Sequence, residues 1–249
     1  MRVGADGSLS LTVLGCSGTY AGAGDACSGY LVRHRGAAVM LDAGPGTLAR
    51  LQEHIGIDGL RALVLSHVHP DHWLDVPILR NVLAYVTQTS GLAVYAPAEV
   101  GEMADHLFEG RHTTFDWTDV TAGDEVQIDS LRLTFSRTDH PPETLAVRVA
   151  ASDRALGYSA DTGPGWSMAE FGEPVDLALW EATFCGQAPE GAHHSSAADT
   201  GRLAAESGVG RLVLTHLLPG TDAAQSQREA AEAFGGPVEV ARPGATFVA

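Results

Sequence analysis

Ser66-His67-Val68-His69-Pro70-Asp71-His72 is the stretch on which the reading of this chain turns. It follows the apolar run at residues 62–65, which reads as a buried strand. Three imidazoles and a carboxylate between His67 and His72 offer the nitrogen and oxygen donors that suit zinc-class metals. On extended backbone the side chains alternate, so His67 and His69 point the same way. Asp71 and His72 then turn toward a second position. The plainer alternative is a polar surface loop with a histidine cluster that binds nothing. Four donors on one short loop cannot close two metal sites, so the metal reading demands further His or Asp residues at strand ends elsewhere.

They are present. His140 follows the apolar run at 131–136, in Thr138-Asp139-His140-Pro141-Pro142. Asp161 follows Gly157-Tyr158-Ser159-Ala160, and His216 follows Leu212-Val213-Leu214-Thr215. Each stands just past a buried run, where a rigid sheet can hold a ligand in a loop. Taken singly, each has an ordinary explanation as a cap or a turn residue. Together with the loop at 67–72 they favour the metal.

Outward from these residues, short apolar runs alternate with turn signals. Residues 9–15, 28–33 and 37–42 read as strands, 47–54 as a short helix and 61–65 as a buried strand. Residues 66–75 read as a polar loop and 76–87 as a helix with Pro77 in its first turn. A strand at 92–96 and a helix at 98–108 follow, then strands at 125–128, 131–136, 144–149 and 155–158. The remainder alternates: strand 177–181, helix 196–207, strand 211–215, helix 222–234. No linker, charge run or repeat divides the chain. The pattern predicts a single α/β domain over residues 1–249, two sheets packed between helix layers, with one doubly wound sheet as the runner-up.

With 249 residues, 45% hydrophobic, the chain can bury a sizeable core. The formal net charge of -16 disfavours long nucleic acid as a partner, because an acidic surface repels a phosphate backbone. Cys16, Cys27 and Cys185 are odd in number and follow no C-x-x-C spacing, which argues against a disulfide framework and suits a reducing compartment. Residues 1–15 lack a signal-peptide core, and no apolar run approaches the roughly 20 residues of a membrane span. A cytoplasmic location is expected. Asp42-Ala43-Gly44-Pro45-Gly46-Thr47 lacks the full spacing of a phosphate-binding loop and reads as a tight turn near the metal site.

The order H-V-H-P-D-H, His140, Asp161, His216 resembles the metallo-β-lactamase superfamily along residues 9 to 240. LTVLGCSGT, LDAGPGT, YSADTGP, EATF, HSS and LTHL are similar to blocks of its tRNase Z and phosphodiesterase branch. Short members associated with cyclic-nucleotide hydrolysis are also similar. The resemblance implies an αββα four-layer sandwich, a homodimer, and a hydrolase with two divalent ions. Zinc is the default metal, with manganese or iron as alternatives. It places His67, His69 and His140 on one ion, Asp71, His72 and His216 on the other, and Asp161 between them. An anionic bridge suits two cations a few ångströms apart. Asp71 would also orient the attacking water or take its proton.

His194, in Ala192-His193-His194-Ser195-Ser196, resembles the family's His-Ser-Thr block and would be the general acid, oriented by Glu181. The plainer alternative is that His193 and His194 merely precede a helix capped by Ser195 or Ser196. Two departures bear on substrate. Trp180-Glu181-Ala182-Thr183 lacks the leading histidine of the tRNase Z block, and the interval from His140 to Asp161 has no room for its tRNA-gripping arm. A small phosphodiester, such as a cyclic nucleotide, is the expected substrate. An RNase Z-like endoribonuclease and an ester, lactone or thioester hydrolase are the alternatives.

Overall fold

A computed structural model describes residues 7–108 and 110–249; the first six residues of the 1–15 segment read for a signal sequence lie outside the described residues. The first half of the chain builds β1 (Ser10–Gly15), β2 (Gly29–His34), β3 (Ala37–Leu41), α1 (Thr47–Leu51), β4 (Ala62–Val64), α2 (Pro70–Trp73), α3 (Val76–Asn81), β5 (Leu92–Ala96), α4 (Ala98–Leu107), α5 (Arg111–Thr114) and β6 (Phe115–Asp119). The second half builds β7 (Glu125–Ile128), β8 (Leu131–Arg137), β9 (Leu145–Ala151), β10 (Arg154–Tyr158), β11 (Leu177–Glu181), α6 (Ala197–Glu206), β12 (Arg211–Thr215), α7 (Ala223–Phe234), β13 (Val238–Val240) and β14 (Thr246–Val248).

The strands form two sheets of seven. One has the order β14-β1-β2-β3-β4-β5-β6 and the other β13-β12-β11-β10-β9-β8-β7. The runner-up single sheet is therefore excluded. In each sheet the hairpin-connected strands pair antiparallel, while β3 to β6 and β10 to β13 run parallel.

Period-two alternation accounts for the layers. Tyr30 and Val32 of β2 and Val39 and Leu41 of β3 face the second sheet, meeting Leu133, Val147, Leu156, Leu179 and Val213 in one central core. Leu31, Met40 and Leu63 face outward instead, against Leu51, Val76, Leu79, Val100 and Ala104 of the helices. On the other flank Ala178, Trp180, Leu212 and Leu214 pack against Ala197, Leu203, Ala204 and Ala230 of α6 and α7. Strands apolar on both faces need cover on both faces, and the result is helix, sheet, sheet, helix.

Three strands were not expected. Phe115–Asp119 alternates apolar and polar residues, a readable signal; Val238–Val240 and Thr246–Val248 have three residues each, too few for any periodicity. The expected helix at 76–87 is α-helical to Asn81 and continues as a π-helical turn, Val82–Thr87, ending at Gln88 with φ +52°. The expected loop at 66–75 contains α2, which Pro70 opens at a position where its missing N–H costs nothing. All three cysteines are free. No helix among the described residues is long and apolar enough to cross a membrane.

Candidate metal centre

The parallel strands end on one edge of the sandwich, and the predicted residues stand there. Leu41 of β3 pairs with Val64 of β4, and Glu181 of β11 pairs with Thr215 of β12, so the loops beyond them open side by side. The two sheets are stitched across this seam. Leu145 N–H donates to the Ser66 carbonyl (3.0 Å), Tyr158 donates to Asp42 Oδ2 (2.6 Å), and Tyr30 and Thr215 share a 2.7 Å hydrogen bond. Four of the eight non-glycine residues with positive φ among the described residues are here: Thr19, Asp42, Ala160 and His216. Backbone held in that sparsely populated region turns a strand end sharply enough to aim a side chain back across the edge. The turn after β3 needs Gly44, because a Cβ there would collide with the Asp71 carbonyl oxygen.

All seven predicted ligands converge. His67, His69, His140 and Asp161 form one group and Asp71, His72 and His216 another, donor atoms in each lying within 4.8 Å of one another. Asp161 stands between them. Its Oδ1 lies 3.3 Å from Nε2 of both His72 and His216, while its Oδ2 lies 3.6 Å from His67 Nε2 and 3.9 Å from His140 Nε2. Asp71 Oδ2 is 3.3 Å from His216 Nε2 and 3.5 Å from His72 Nε2.

The far ring nitrogens explain why the lone pairs point inward. His72 Nδ1 donates to Asp42 Oδ2 (2.7 Å), and His140 Nδ1 donates to the His193 carbonyl (2.9 Å). Ser66 Oγ donates to Asp42 Oδ2 (2.9 Å), so it accepts from His67 Nδ1 (2.9 Å). Thr183 Oγ1 donates to Glu181 Oε2 (2.9 Å) and accepts from His216 Nδ1 (3.0 Å). With Nδ1 carrying the proton in all four rings, each Nε2 is left as a bare acceptor, the form that binds metal.

These residues fit a pair of cations. His67 Nε2 and Asp161 Oδ1 are buried without a hydrogen-bond partner among the described residues, which costs about 1–3 kcal/mol per group unless a ligand satisfies them. His72 and His216 oppose Nε2 to Nε2 at 3.3 Å, and His140 Nε2 faces His69 Nδ1 at 3.2 Å. Acceptors so crowded repel one another until something positive lies among them.

The electrostatics divide the ligands. Burial opposes charge on His72, but Asp161 and Asp42 hold its pKa well above the ordinary value, so an ion bound there would displace a proton from this ring. Burial and the neighbouring His72 hold the His67 imidazole well below its ordinary pKa, and burial also lowers His69 and His140. Burial opposes charge on Asp71, but the adjacent His216 and His72 rings hold its carboxyl far below the usual range. Asp161 is held down likewise, against burial, by His216, His72 and His67. Neutral imidazoles and ionised carboxylates are the ligating states.

His194 stands at the rim. Its Nδ1 lies 2.9 Å from Glu181 Oε1, the contact that was only an expectation from sequence, and its ring stacks on His216 at 5.5 Å between centroids. It also falls within ligand distance of Asp161 and His216, but Glu181 occupies its Nδ1. Burial works against charge on this ring, while the hydrogen bond and charge of Glu181 raise its pKa on balance. The helix cap is a separate feature: Ser196 Oγ accepts from Asp199 N–H at 3.1 Å. His193 is exposed and contributes only its carbonyl.

Sequence reasoning missed Asp42, Thr183 and Thr19. Asp42 is fully buried and binds Ser66 N–H (2.7 Å), Ser66 Oγ, His72 and Tyr158 at once. Its signal is the same as for Asp161, an aspartate just past a buried strand, but the glycines that follow make it read as part of a turn. Thr19 N–H donates to Asp71 Oδ2 at 2.8 Å. Asp42→Asn keeps the shape and removes the charge that holds the His72 tautomer. Metal affinity should fall about 10–100-fold, measured by competition with a chromophoric chelator, and unchanged affinity would assign Asp42 a folding role alone.

Seven converging His and Asp side chains on an αββα sandwich define the class as a metallo-hydrolase fold with clusters suited to metal. The family profile of the beta-lactamase superfamily domain matches residues 38–217, and the chain belongs to that superfamily. It is 34% identical to the uncharacterized protein ML1173 of Mycobacterium leprae, over 96% of this chain and 88% of that one. It is 30% identical to the probable metallo-hydrolase YhfI of Bacillus subtilis over 95% and 98% of the two chains. The crystal structure of YhfI, a metallo-beta-lactamase fold protein, superposes with a TM-score of 0.88 over 98% of this chain and all of that one, at 28% identity. Ribonuclease Z of Mycobacterium marinum is 28% identical over 93% and 95% of the chains.

Proposed function

We propose that the protein is a dinuclear metal-dependent phosphodiesterase acting on a small phosphodiester, with cyclic nucleotides as the leading class. The observation that carries this reading is the span between His140 and Asp161. It is filled by β9 and β10, paired antiparallel throughout and joined at Ser152 and Asp153, so no described residue there rises to grip a large substrate. The cavity over the metal ligands, bounded by Thr19, His69, Pro70, Asp71, Asp161, His194 and His216, has about 430 Å³. That is the size of a small-molecule site. The net charge of -16 supplies no long-range pull on a polynucleotide. The ribonuclease Z relative keeps an endoribonuclease reading open as the competitor.

In this reading His67, His69 and His140 would hold one ion and Asp71, His72 and His216 the other, with Asp161 placed between the two groups. Zinc is the default for so nitrogen-rich a set. When bound, the two ions supply Lewis acidity toward the phosphoryl oxygens and an activated water. The chain supplies the rest. Asp71, fixed by Thr19 N–H, orients the attacking water. His194, fixed by Glu181, gives a proton to the departing oxygen.

The test is a panel on protein with its metals assayed: bis-p-nitrophenyl phosphate, a 3′,5′- or 2′,3′-cyclic nucleotide, a thioester, a lactone and a tRNA precursor. His67→Ala serves as the contamination control. The small diesters are expected to give the highest kcat/KM, and the precursor should be far slower at matched metal and salt. Efficient precursor cleavage with no activity on any small diester, or turnover of the thioester or lactone alone, would overturn the reading.

A further inference from the structure

The ligand rings are not all held alike. His67 and His72 lean on Ser66 and Asp42, and His216 leans on Thr183, all buried groups at the seam of the two sheets. His140 stands apart, on the loop of residues 138–144 between β8 and β9. Its Nδ1 donates to the carbonyl of His193, which is itself an exposed loop residue. Where His140 Nε2 points therefore depends on what fixes the backbone of this loop.

The loop's first two residues are tied to the neighbouring Asp161 turn. Thr138 Oγ1 donates to the Asp161 carbonyl at 2.7 Å, and Gly163 N–H donates to the Asp139 carbonyl at 2.8 Å. Beyond them the backbone has little to offer. Pro141 and Pro142 carry no N–H, and no backbone N–H among the described residues reaches the carbonyl of His140 or of Pro142. Arg137 does. It holds the last position of β8, paired with Leu145 of β9, and its Nη1 donates to the His140 carbonyl at 2.8 Å and to the Pro142 carbonyl at 3.0 Å. The Thr144 carbonyl lies farther off, at 3.4 Å. The chain has 31 acidic residues, yet no described carboxylate pairs with this guanidinium, which is spent on the loop instead.

We infer that Arg137 is a positioning residue for one ligand group. Its guanidinium fixes the His140 carbonyl and so sets the direction in which that imidazole meets an ion shared with His67 and His69. The inference rests on the metal reading of the centre and on no particular substrate. It also separates the two groups: Arg137 bonds to none of Asp71, His72 and His216, so that group should not feel its loss. Partners that orient a ligand from outside the coordination sphere typically govern affinity by 10–100-fold, and an exposed arginine on a proline-rich loop is such a partner here.

Titration of metal-free protein with cobalt(II), followed by visible absorption and by calorimetry, reads the ions without any turnover. The parent should take up about two equivalents. Arg137→Met, close in length but without donors, should weaken one equivalent by about 10–100-fold and leave the other as in the parent. Arg137→Lys keeps the charge without the planar fork and should fall between the two. The deciding arm is a double-mutant cycle. His140→Ala weakens the same equivalent, and adding Arg137→Met to it should cost less than about twofold more, because the route through His140 is already gone. Arg132→Met, at the other end of β8 where Glu125 and Glu173 pair with the arginine, should leave both equivalents unchanged. Parent-like affinity in Arg137→Met, equal losses at both equivalents, or a loss that multiplies with that of His140→Ala would overturn the assignment while the metal reading stands. A parent that takes up no cobalt would overturn both.

Discussion

Asp161→Ala protein is expected to lose turnover roughly 10³-fold or more and to hold well under the about two equivalents of transition metal proposed for the parent. Removing a partner that only orients a ligand costs 10–100-fold in affinity, and Asp161 touches both groups of ligands itself. Its Oδ1 faces His72 and His216 and its Oδ2 faces His67 and His140, so its loss removes the carboxylate placed between the two ligand groups. Metal content by elemental analysis, read beside activity, checks this. An intact variant that keeps both metals and full activity would sink the bridging assignment.

His194→Ala should behave differently: metal content stays and turnover falls by about 10²–10⁴. The ring stands at the rim with Nδ1 given to Glu181, which in the proposed reading holds it for proton transfer rather than for the ions. The loss should shrink on bis-p-nitrophenyl phosphate, whose p-nitrophenolate leaves without protonation, and be full on a cyclic nucleotide, whose alkoxide does not. Equal losses on both substrates would show that His194 binds or braces instead. Glu181→Gln should reproduce the leaving-group dependence in weaker form, since it keeps the hydrogen-bonding shape and removes the charge.

The candidate metal centre is legible in the sequence because its largest element is local. Three histidines and an aspartate in one short loop announce a donor set whatever the fold around them, and the strand before the loop says that it is rigidly held. His140, Asp161 and His216 were legible by a weaker rule, a ligand-type residue just past an apolar run. The same rule fits Asp42, yet the glycines that follow it made a turn the simpler reading. Its role depends on Ser66, Tyr158 and His72, and their approach to it is a property of the closed sandwich. Thr183 and Thr19 act through a hydroxyl and a backbone N–H, chemistry that no residue pattern singles out.

By itself the sequence determined most of the strand-and-helix order, all but β6, β13, β14 and the short helices α2 and α5, together with the donor inventory, because these follow from local periodicity and residue type. Tertiary structure decided the rest. Whether doubly buried strands make one sheet or two depends on pairings between distant segments, such as β14 closing against β1 from opposite ends of the chain. Which oxygen of Asp161 faces which histidines and which ring nitrogen carries each proton are both set where the two sheets meet. Those are distances between residues far apart in the chain, and only packing fixes them.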